Sequence, residues 1–467
     1  MPGHFCSIIS FFAVLILARP QTVPAQSDRV DSCIAAQMSI RHIPGLALAV
    51  VRDGVPVKVK GYGVASVELN VPVSPQTIFQ SASIGKQFTA ALVMLLVEEG
   101  KIRLDEPVST YIANSPPAWE YVTVRHLLTH TSGIVDHSGD SLSVDVRRDY
   151  TEDELLARIE RIPLAFQPGE KWSYSNAGYA LLGILIHRVS GRFHGDLLKQ
   201  YVFDPLSMET ARIISESDIV PNRASGYRLE KGEWKNQEWI SPTLNTTAAG
   251  SLYLTILDLV KWDAALSSGR ILAKPSYDQM WSPVRLKGDS LHPYGFGWFL
   301  SPVNGRKTVS HPGGWQGFNN FIARYLDDRL TVIVLTNLSP DNPGKIAQAV
   351  AGIYVPALAE RIPGTIEDRD PAFKPVAEKF IGGPDTLNIN FDLFTKECRQ
   401  RAKSYLSANL ALINLFGPVA SVDMVGCTRE KSSTTLQYRV RYRASSRIAT
   451  ITRSASGEIS SFASTAE

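Results

Sequence analysis

Residues 77–100 read TIFQSASIGKQFTAALVMLLVEEG. From Ser83 to Glu99 the apolar residues Phe88, Leu92, Leu95 and Leu96 recur at three- and four-residue steps, which predicts a helix, and Gly100 ends it. Ser83-Ile84-Gly85-Lys86 sits at its start. A three-residue step puts both polar side chains on one helix face, about a turn apart. A serine hydroxyl is a poor nucleophile until a nearby base takes its proton. Lysine can be that base when burial and the positive end of a helix lower its pKa. The same helix end favours a developing oxyanion. Ser83 is the only serine in the chain with a lysine three residues on. Taken alone, the spacing is weak evidence, and the plainer reading is a capped helix start with a solvated lysine.

Two further stretches carry matching chemistry. Tyr174-Ser175-Asn176 is the only YxN. A phenol near a lysine can share its proton and pass it to a leaving group, and an amide two residues on offers both a donor and an acceptor. The plainer reading is a turn before a helix from Tyr179 to Val189, with Asn176 as its cap. His311-Pro312-Gly313-Gly314 falls between two predicted strands. Glycine there lets another backbone approach closely, as an oxyanion hole built from a backbone N–H requires. A simple bulge or hairpin turn is the alternative.

Outward from these motifs, Gly45 to Val51 and Val55 to Gly61 flank Asp53-Gly54 and predict a β-hairpin. Thr151-Glu152-Asp153-Glu154 is a capping box, and Thr255-Ile256-Leu257-Asp258 is one with Asp in the place of Glu. Tyr294 to Leu300, Lys307 to Ser310, Gly317 to Tyr325 and Leu330 to Thr336 read as strands, and Pro343 to Ala359 as a closing helix. Strands open and close the region around a mostly helical segment. The fold class expected is α+β: an antiparallel sheet flanked by helices, with a mostly helical second lobe.

Ser83-Lys86, Tyr174-Asn176 and His311-Gly313, in this order, resemble the SxxK, YxN and third-strand motifs of serine hydrolases related to class C β-lactamases and penicillin-binding proteins. The stretches Thr77-Ile78-Phe79-Gln80, His126-Leu127-Leu128-Thr129-His130-Thr131-Ser132-Gly133 and Gly250-Ser251-Leu252-Tyr253 agree with this over about residues 30 to 360. The resemblance implies a β-lactamase/transpeptidase-like fold and an acyl-enzyme mechanism. It makes Ser83 the nucleophile, Lys86 its base partner and Tyr174 the general acid/base. Asn176, His311, Gly313 and Gly314 become substrate-binding residues, with the backbone N–H groups of Ser83 and Gly314 as the oxyanion hole. Where β-lactamases have Lys-Thr, this chain has His311-Pro312, which removes a permanent cation and a hydroxyl. Histidine near neutral pH is expected to be partly charged, so any β-lactam reaction should improve towards pH 6. The expected function is therefore an exported, esterase-like serine hydrolase acting on a small-molecule ester. The alternatives are a D-amino-acid peptidase or carboxypeptidase acting on an amide or peptide, a weak β-lactamase, and a binding module that has lost turnover.

Composition agrees with an enzyme of this kind. The 467 residues are 44% hydrophobic and 20% charged with a net charge of +3. That excludes a disordered chain, a multi-span membrane protein and a nucleic-acid binder driven by basic excess. His126 and His130 have a zinc-like spacing, with His137 nearby, but Leu127 stands where HExxH has its glutamate. Gly61-Tyr62-Gly63 lacks the third glycine of a dinucleotide site, and no GxSxG occurs. No metal or cofactor is expected.

The apolar run Phe5 to Ala18 and the small-residue site Val23-Pro24-Ala25 read as a signal peptide over residues 1–25, giving a periplasmic or secreted protein with no stable membrane span after cleavage. The hydrolase domain is expected over 26–360 and a Pro/Gly-rich linker over 361–376. A small α+β domain follows over 377–467, with a helix from Phe394 to Ala411 and four strands after it. It resembles the cone-shaped, nuclear-transport-factor-like modules attached to many such hydrolases, and reads as a structural or dimerising appendage. The oligomeric state is left open. Cys33, Cys398 and Cys427 remain after cleavage, so one bridge is conceivable, between Cys398 and Cys427.

Overall fold

The structure, a computed structural model, describes residues 26–136, 145–213, 218–241, 247–250 and 252–360. Beyond these it describes 373, 375, 378, 391–399 and 419–466 apart from 431 and 443–445. The expected signal peptide, most of the expected linker, His137, Ser251 and the greater part of the helix expected over Phe394–Ala411 lie outside the described residues. The chain divides into two compact units, Met1–Glu360 and Arg361–Glu467. No described helix is long and apolar enough to cross a membrane.

In the first unit α1 (Gln26–Arg41) leads into the hairpin β1 (Gly45–Arg52) and β2 (Val55–Ser66), followed by β3 (Val71–Pro72). The hairpin turns at Asp53 and Gly54, with φ of 53° and 77°, the pair of positive angles that a two-residue turn of the right twist needs. Next come β4 (Ile78–Gln80), a 3-10 turn Ala82–Gly85 and α2 (Lys86–Glu98). The helical lobe holds α3 (Val124–Leu128), α4 (Glu152–Glu160), α5 (Asn176–Ser190) and α6 (His194–Leu198). Short strands follow: β5 (Arg212–Ile213), the hairpin β6 (Tyr227–Glu230) and β7 (Glu233–Asn236), and β8 (Leu252–Thr255). After α7 (Ile256–Ser268), α8 (Lys274–Met280) and the pair β9 (Val284–Arg285) and β10 (Leu291–His292), the chain returns as β11 (Thr308–Trp315), β12 (Phe318–Tyr325), β13 (Leu330–Thr336) and α9 (Pro343–Tyr354).

The main sheet is antiparallel, in the order β11-β12-β13-β1-β2-β3. Its centre is buried on both faces. Leu46, Leu48 and Val50 point into one core with Val30 of α1 and Ile346 and Val350 of α9, while Ala47 and Ala49 face the other core with Phe88 of α2 and Trp262 of α7. Alternate residues of a strand face opposite sides, so one eight-residue strand serves two cores. Both expected capping boxes form: Thr151 and Thr255 each accept from the backbone N–H three residues on, at 3.2 Å.

Three expectations for the chain after Tyr294 change. Tyr294 to Leu300 is no strand: Gly297 takes φ +74° and Gly295 N–H bonds Trp298 O at 2.8 Å, folding the segment back on itself. His311 to Gly314 lies inside β11, not between strands. β11 is the sheet's edge strand, where a proline that donates no hydrogen bond is tolerated. The closing helix stops at Tyr354, because Pro356 forces Val355 into an extended conformation before a short 3-10 turn.

The second unit contains the meander β14 (Val419–Arg429), β15 (Ser433–Tyr442), β16 (Ser446–Ser454) and β17 (Ile459–Ala466). Phe394, Met424, Leu436, Tyr438 and Ile451 share its core. Cys398 and Cys427 are thiols rather than a disulfide.

Candidate active site

Ser83 sits at the junction of two sheets and two helices. Ser81 N–H bonds Leu252 O at 2.7 Å, and Asn320 Nδ2 donates to Gln80 O at 2.8 Å, fixing the chain before the turn. Ala82 then takes φ 50°, a left-handed conformation costly for a residue with a Cβ. Ser83 therefore lies on the 3-10 turn, and the α-helix expected from Ser83 begins only at Lys86. In a 3-10 turn residues three apart eclipse, which brings Lys86 Nζ to 3.0 Å from Ser83 Oγ. Ser83 is partly exposed and Lys86 is fully buried.

The Lys86 nitrogen has two other partners, Asn176 Oδ1 at 2.7 Å and Ala249 O at 2.5 Å. Both are carbonyl oxygens and can only accept. A neutral lysine keeps two N–H bonds and one lone pair. The carbonyls take the two N–H bonds, so the lone pair is left for Ser83, the one partner able to donate. The amide of Asn176 cannot turn round, because Asp136 accepts from its backbone N–H and its Nδ2, each at 3.1 Å. Burial pushes the Lys86 ammonium down to about 7, against the opposing charge of Asp136.

Tyr174 lies above the same nitrogen, its ring centroid 4.9 Å away. Burial raises its phenol above the ordinary value, while a hydrogen bond with Ser83 pulls the other way. The phenol thus stays protonated at neutral pH. Two titratable groups pushed apart in this way suit a base and an acid, respectively. Ser175 caps α5, accepting from Gly178 N–H at 3.1 Å, so Asn176 is not the cap and its amide serves the site. If Lys86 is the base, labelling of Ser83 by an uncharged fluorophosphonate should rise about tenfold per pH unit below about 7 and level off above it, as the neutral fraction does. A rate that is flat from pH 5.5 to 8.5 would exclude Lys86 as the base.

The edge strand β11 passes close to the Ser83 turn. A Cβ on Gly313 would lie 2.3 Å from Ser81 O and 3.3 Å from Ser83 N, so only glycine allows this approach. His311 corrects an expectation. Its ring is fully buried, and both nitrogens are used inside the protein: Nδ1 faces Pro312 O at 2.6 Å and Nε2 faces the Tyr294 hydroxyl at 3.0 Å. Burial, reinforced by the Lys86 charge, lowers its pKa to about 3. The imidazole is neutral across physiological pH, without the partial positive charge expected of it.

The expected residues Ser83, Lys86, Tyr174 and Asn176 thus meet around one nitrogen, with Gly313 beside them. Asp136, Ala249 and Tyr294 were not foreseen. A backbone carbonyl leaves no trace in a sequence, and a lone aspartate after the His130–Gly133 stretch gives no pattern. His126 takes a structural place, its Nδ1 accepting Thr123 N–H at 3.2 Å in a capping box with histidine where glutamate is usual. Among the described residues no group of His, Cys, Asp and Glu could hold a metal.

Comparison with known proteins agrees with the fold. A family model described as Beta-lactamase matches residues 30–353. The chain is 32% identical over 299 residues to penicillin-binding protein 4* of Bacillus subtilis (strain 168), covering 60% of this chain and 65% of that protein. It is 27% identical over 346 residues to a D-aminopeptidase of Gluconobacter oxydans (strain 621H), covering 72% and 64%. The match thus spans a little under two thirds of either relative. Among solved structures, the octameric penicillin-binding protein homologue from Pyrococcus abyssi superposes with a TM-score of 0.64 at 26% identity, covering 94% of this chain and 96% of that one. The D-amino acid amidase from Ochrobactrum anthropi SV3 gives a TM-score of 0.60 at 24% identity over 71% of this chain and 97% of that one, a likeness of fold.

Proposed function

Because this chain belongs to the Beta-lactamase family of serine hydrolases, we propose that it cleaves ester bonds of small, uncharged acyl groups through an acyl-enzyme on Ser83. The observation that carries this reading is Lys86 Nζ lying 3.0 Å from Ser83 Oγ, with its two other contacts made to carbonyl oxygens that hold it in place. Lys86 takes the hydroxyl proton as Oγ attacks the carbonyl carbon. The backbone N–H groups of Ser83 and Gly314 receive the oxyanion. Tyr174 gives its proton to the departing oxygen and is reprotonated from Lys86. Water then adds to the acyl-enzyme, and carboxylic acid and free Ser83 are the products.

The neutral, buried His311 supports a substrate without a carboxylate, since this motif offers no cation to bind one. A second reading, hydrolysis of D-amino-acid amides, is favoured by the likeness to the Gluconobacter D-aminopeptidase. A panel of nitrophenyl butyrate, a D-amino-acid amide and a chromogenic cephalosporin separates them. The ester should have the highest specificity constant. Each missing charge-assisted bond is worth roughly 1.5–3 kcal/mol, or about 10- to 150-fold against the cephalosporin. Lowering the pH from 7.5 to 6 should slow all three, as Lys86 protonates. A cephalosporin preferred at pH 7.5, or gaining at pH 6, would overturn the reading of this motif. An amide preferred to the ester would install the second reading.

A further inference from the structure

Behind the catalytic groups runs a chain of buried side chains. It begins at Ser175, the residue between Tyr174 and Asn176, whose backbone N–H donates to His130 Nδ1 at 3.1 Å. His130 Nε2 meets the Tyr294 hydroxyl at 3.2 Å, and that hydroxyl meets His311 Nε2 at 3.0 Å. His311 Nδ1 ends the chain on Pro312 O at 2.6 Å, immediately before Gly313 and Gly314. His130, Tyr294 and His311 are at most 1% exposed.

Both ends of the chain fix its protons. A backbone N–H can only donate, so His130 Nδ1 is bare and its neutral ring carries the proton on Nε2. A carbonyl can only accept, so His311 carries its proton on Nδ1 and leaves Nε2 bare. The Tyr294 hydroxyl then accepts from His130 and donates to His311. Tyr179 also meets the Tyr294 hydroxyl, but its own proton goes to Leu128 O at 2.9 Å, so along the chain each of the three groups gives one hydrogen bond and receives one. Burial and the nearby Lys86 charge hold both rings neutral. A protonated lysine in place of His311 would donate only. A neutral imidazole both donates and accepts, as an interior link must.

His130 also grips the Tyr174 segment in two other ways. Its carbonyl accepts Ser173 N–H at 2.9 Å, and its ring lies 4.2 Å from the Tyr174 ring at a 35° tilt. A φ of 59° turns the backbone so that both contacts form at once. We propose that His130, Tyr294 and His311 are positioning residues, a proton-ordered strut that holds Tyr174 at a set distance from the Gly313–Gly314 backbone. The proposal rests on the acyl-enzyme reading above. On that reading the strut aligns the group that protonates the leaving atom with the N–H groups that receive the oxyanion. Displacements of about 1 Å at such sites can cost on the order of 100-fold in rate.

Tyr294→Phe removes one oxygen and keeps the ring, orphaning a donor on His130 and an acceptor on His311. It should lower kcat for nitrophenyl butyrate roughly 10- to 100-fold with KM changed less than about threefold. Because Tyr294 acts through Tyr174, the same change in a Tyr174→Phe background should cost less than about threefold. Equal losses in both backgrounds, or no loss in either, would overturn the proposal. Nitrogen-15 spectra of the wild type supply a test independent of turnover and of how the variant folds. His130 should appear as the Nε2–H tautomer and His311 as the Nδ1–H tautomer, neither titrating between pH 5.5 and 8.5. The same tautomer in both rings, or titration of either, would also overturn it. Full turnover by Ser83→Ala would instead refute the acyl-enzyme reading while leaving the tautomer result standing.

Discussion

Ser83→Ala should reduce ester turnover by roughly four to six orders of magnitude, as removal of a catalytic nucleophile does elsewhere. The residue is reachable, being partly exposed, yet its hydroxyl is held between Lys86 Nζ and Tyr174. The substitution deletes a single oxygen from a turn fixed by Ser81 N–H on Leu252 O and by Asn320 on Gln80 O. The fold should persist, with a melting temperature within a few degrees of wild type, because no core atom is removed. Steady-state kinetics and intact mass after fluorophosphonate treatment check this together. An adduct on the alanine variant, or turnover within tenfold of wild type, would place the nucleophile elsewhere.

Lys86→Met and Tyr174→Phe should each cost about 10²- to 10⁴-fold, the usual worth of a positioned acid or base. The double variant should lose far less than the product, because the two groups move one proton along a single route. Fully multiplicative losses would indicate independent structural roles. Methionine is the better replacement for Lys86 since it fills the same space, although Asn176 Oδ1 and Ala249 O lose a donor. Stability offers a separate check with a definite sign. The Lys86 pKa is about 7 in the folded chain and about 10.5 when unfolded. Between these values the unfolded chain binds more protons, so this residue makes wild-type stability rise with pH from 7 to 10.5. Thermal melts of Lys86→Met should lack that part of the slope.

The parts of this molecule that follow local rules were legible in the sequence. The Asp53-Gly54 hairpin, both threonine capping boxes and β13 follow from periodicity and turn chemistry, and Ser83, Lys86, Tyr174 and Asn176 from motif order. What escaped depends on partners distant in sequence. α1 is a largely polar helix held to the sheet by Val30 and Ile34 in the core and by Asp31 meeting Lys58 at 2.6 Å, Lys60 at 2.8 Å and Tyr62 at 2.6 Å, all on β2. Asp136 acquires its meaning only from an amide forty residues on. His311 read as a partly charged substrate-binding residue because nothing local says that its ring is buried against Tyr294. His311 to Gly314 read as lying between two strands, and its place on a sheet edge makes Pro312 compatible with a strand.

The pairing of β1 with β13 has a consequence for the order of events as the chain leaves the ribosome. Leu48 lies opposite Val334, so nearly the whole catalytic unit must be synthesised before β1 gains its second neighbour. Until then the first hairpin has Leu46, Leu48 and Val50 without the residues of α9 and β13 that later cover them. The helical lobe between them closes through nearer contacts and needs no such wait. Sheets joined by distant segments assemble slowly, and their unfinished edges are open to other chains. Ser83 stands on the early half of the sequence and Gly313 on the late half, so the catalytic pocket is among the last features of the nascent protein to exist.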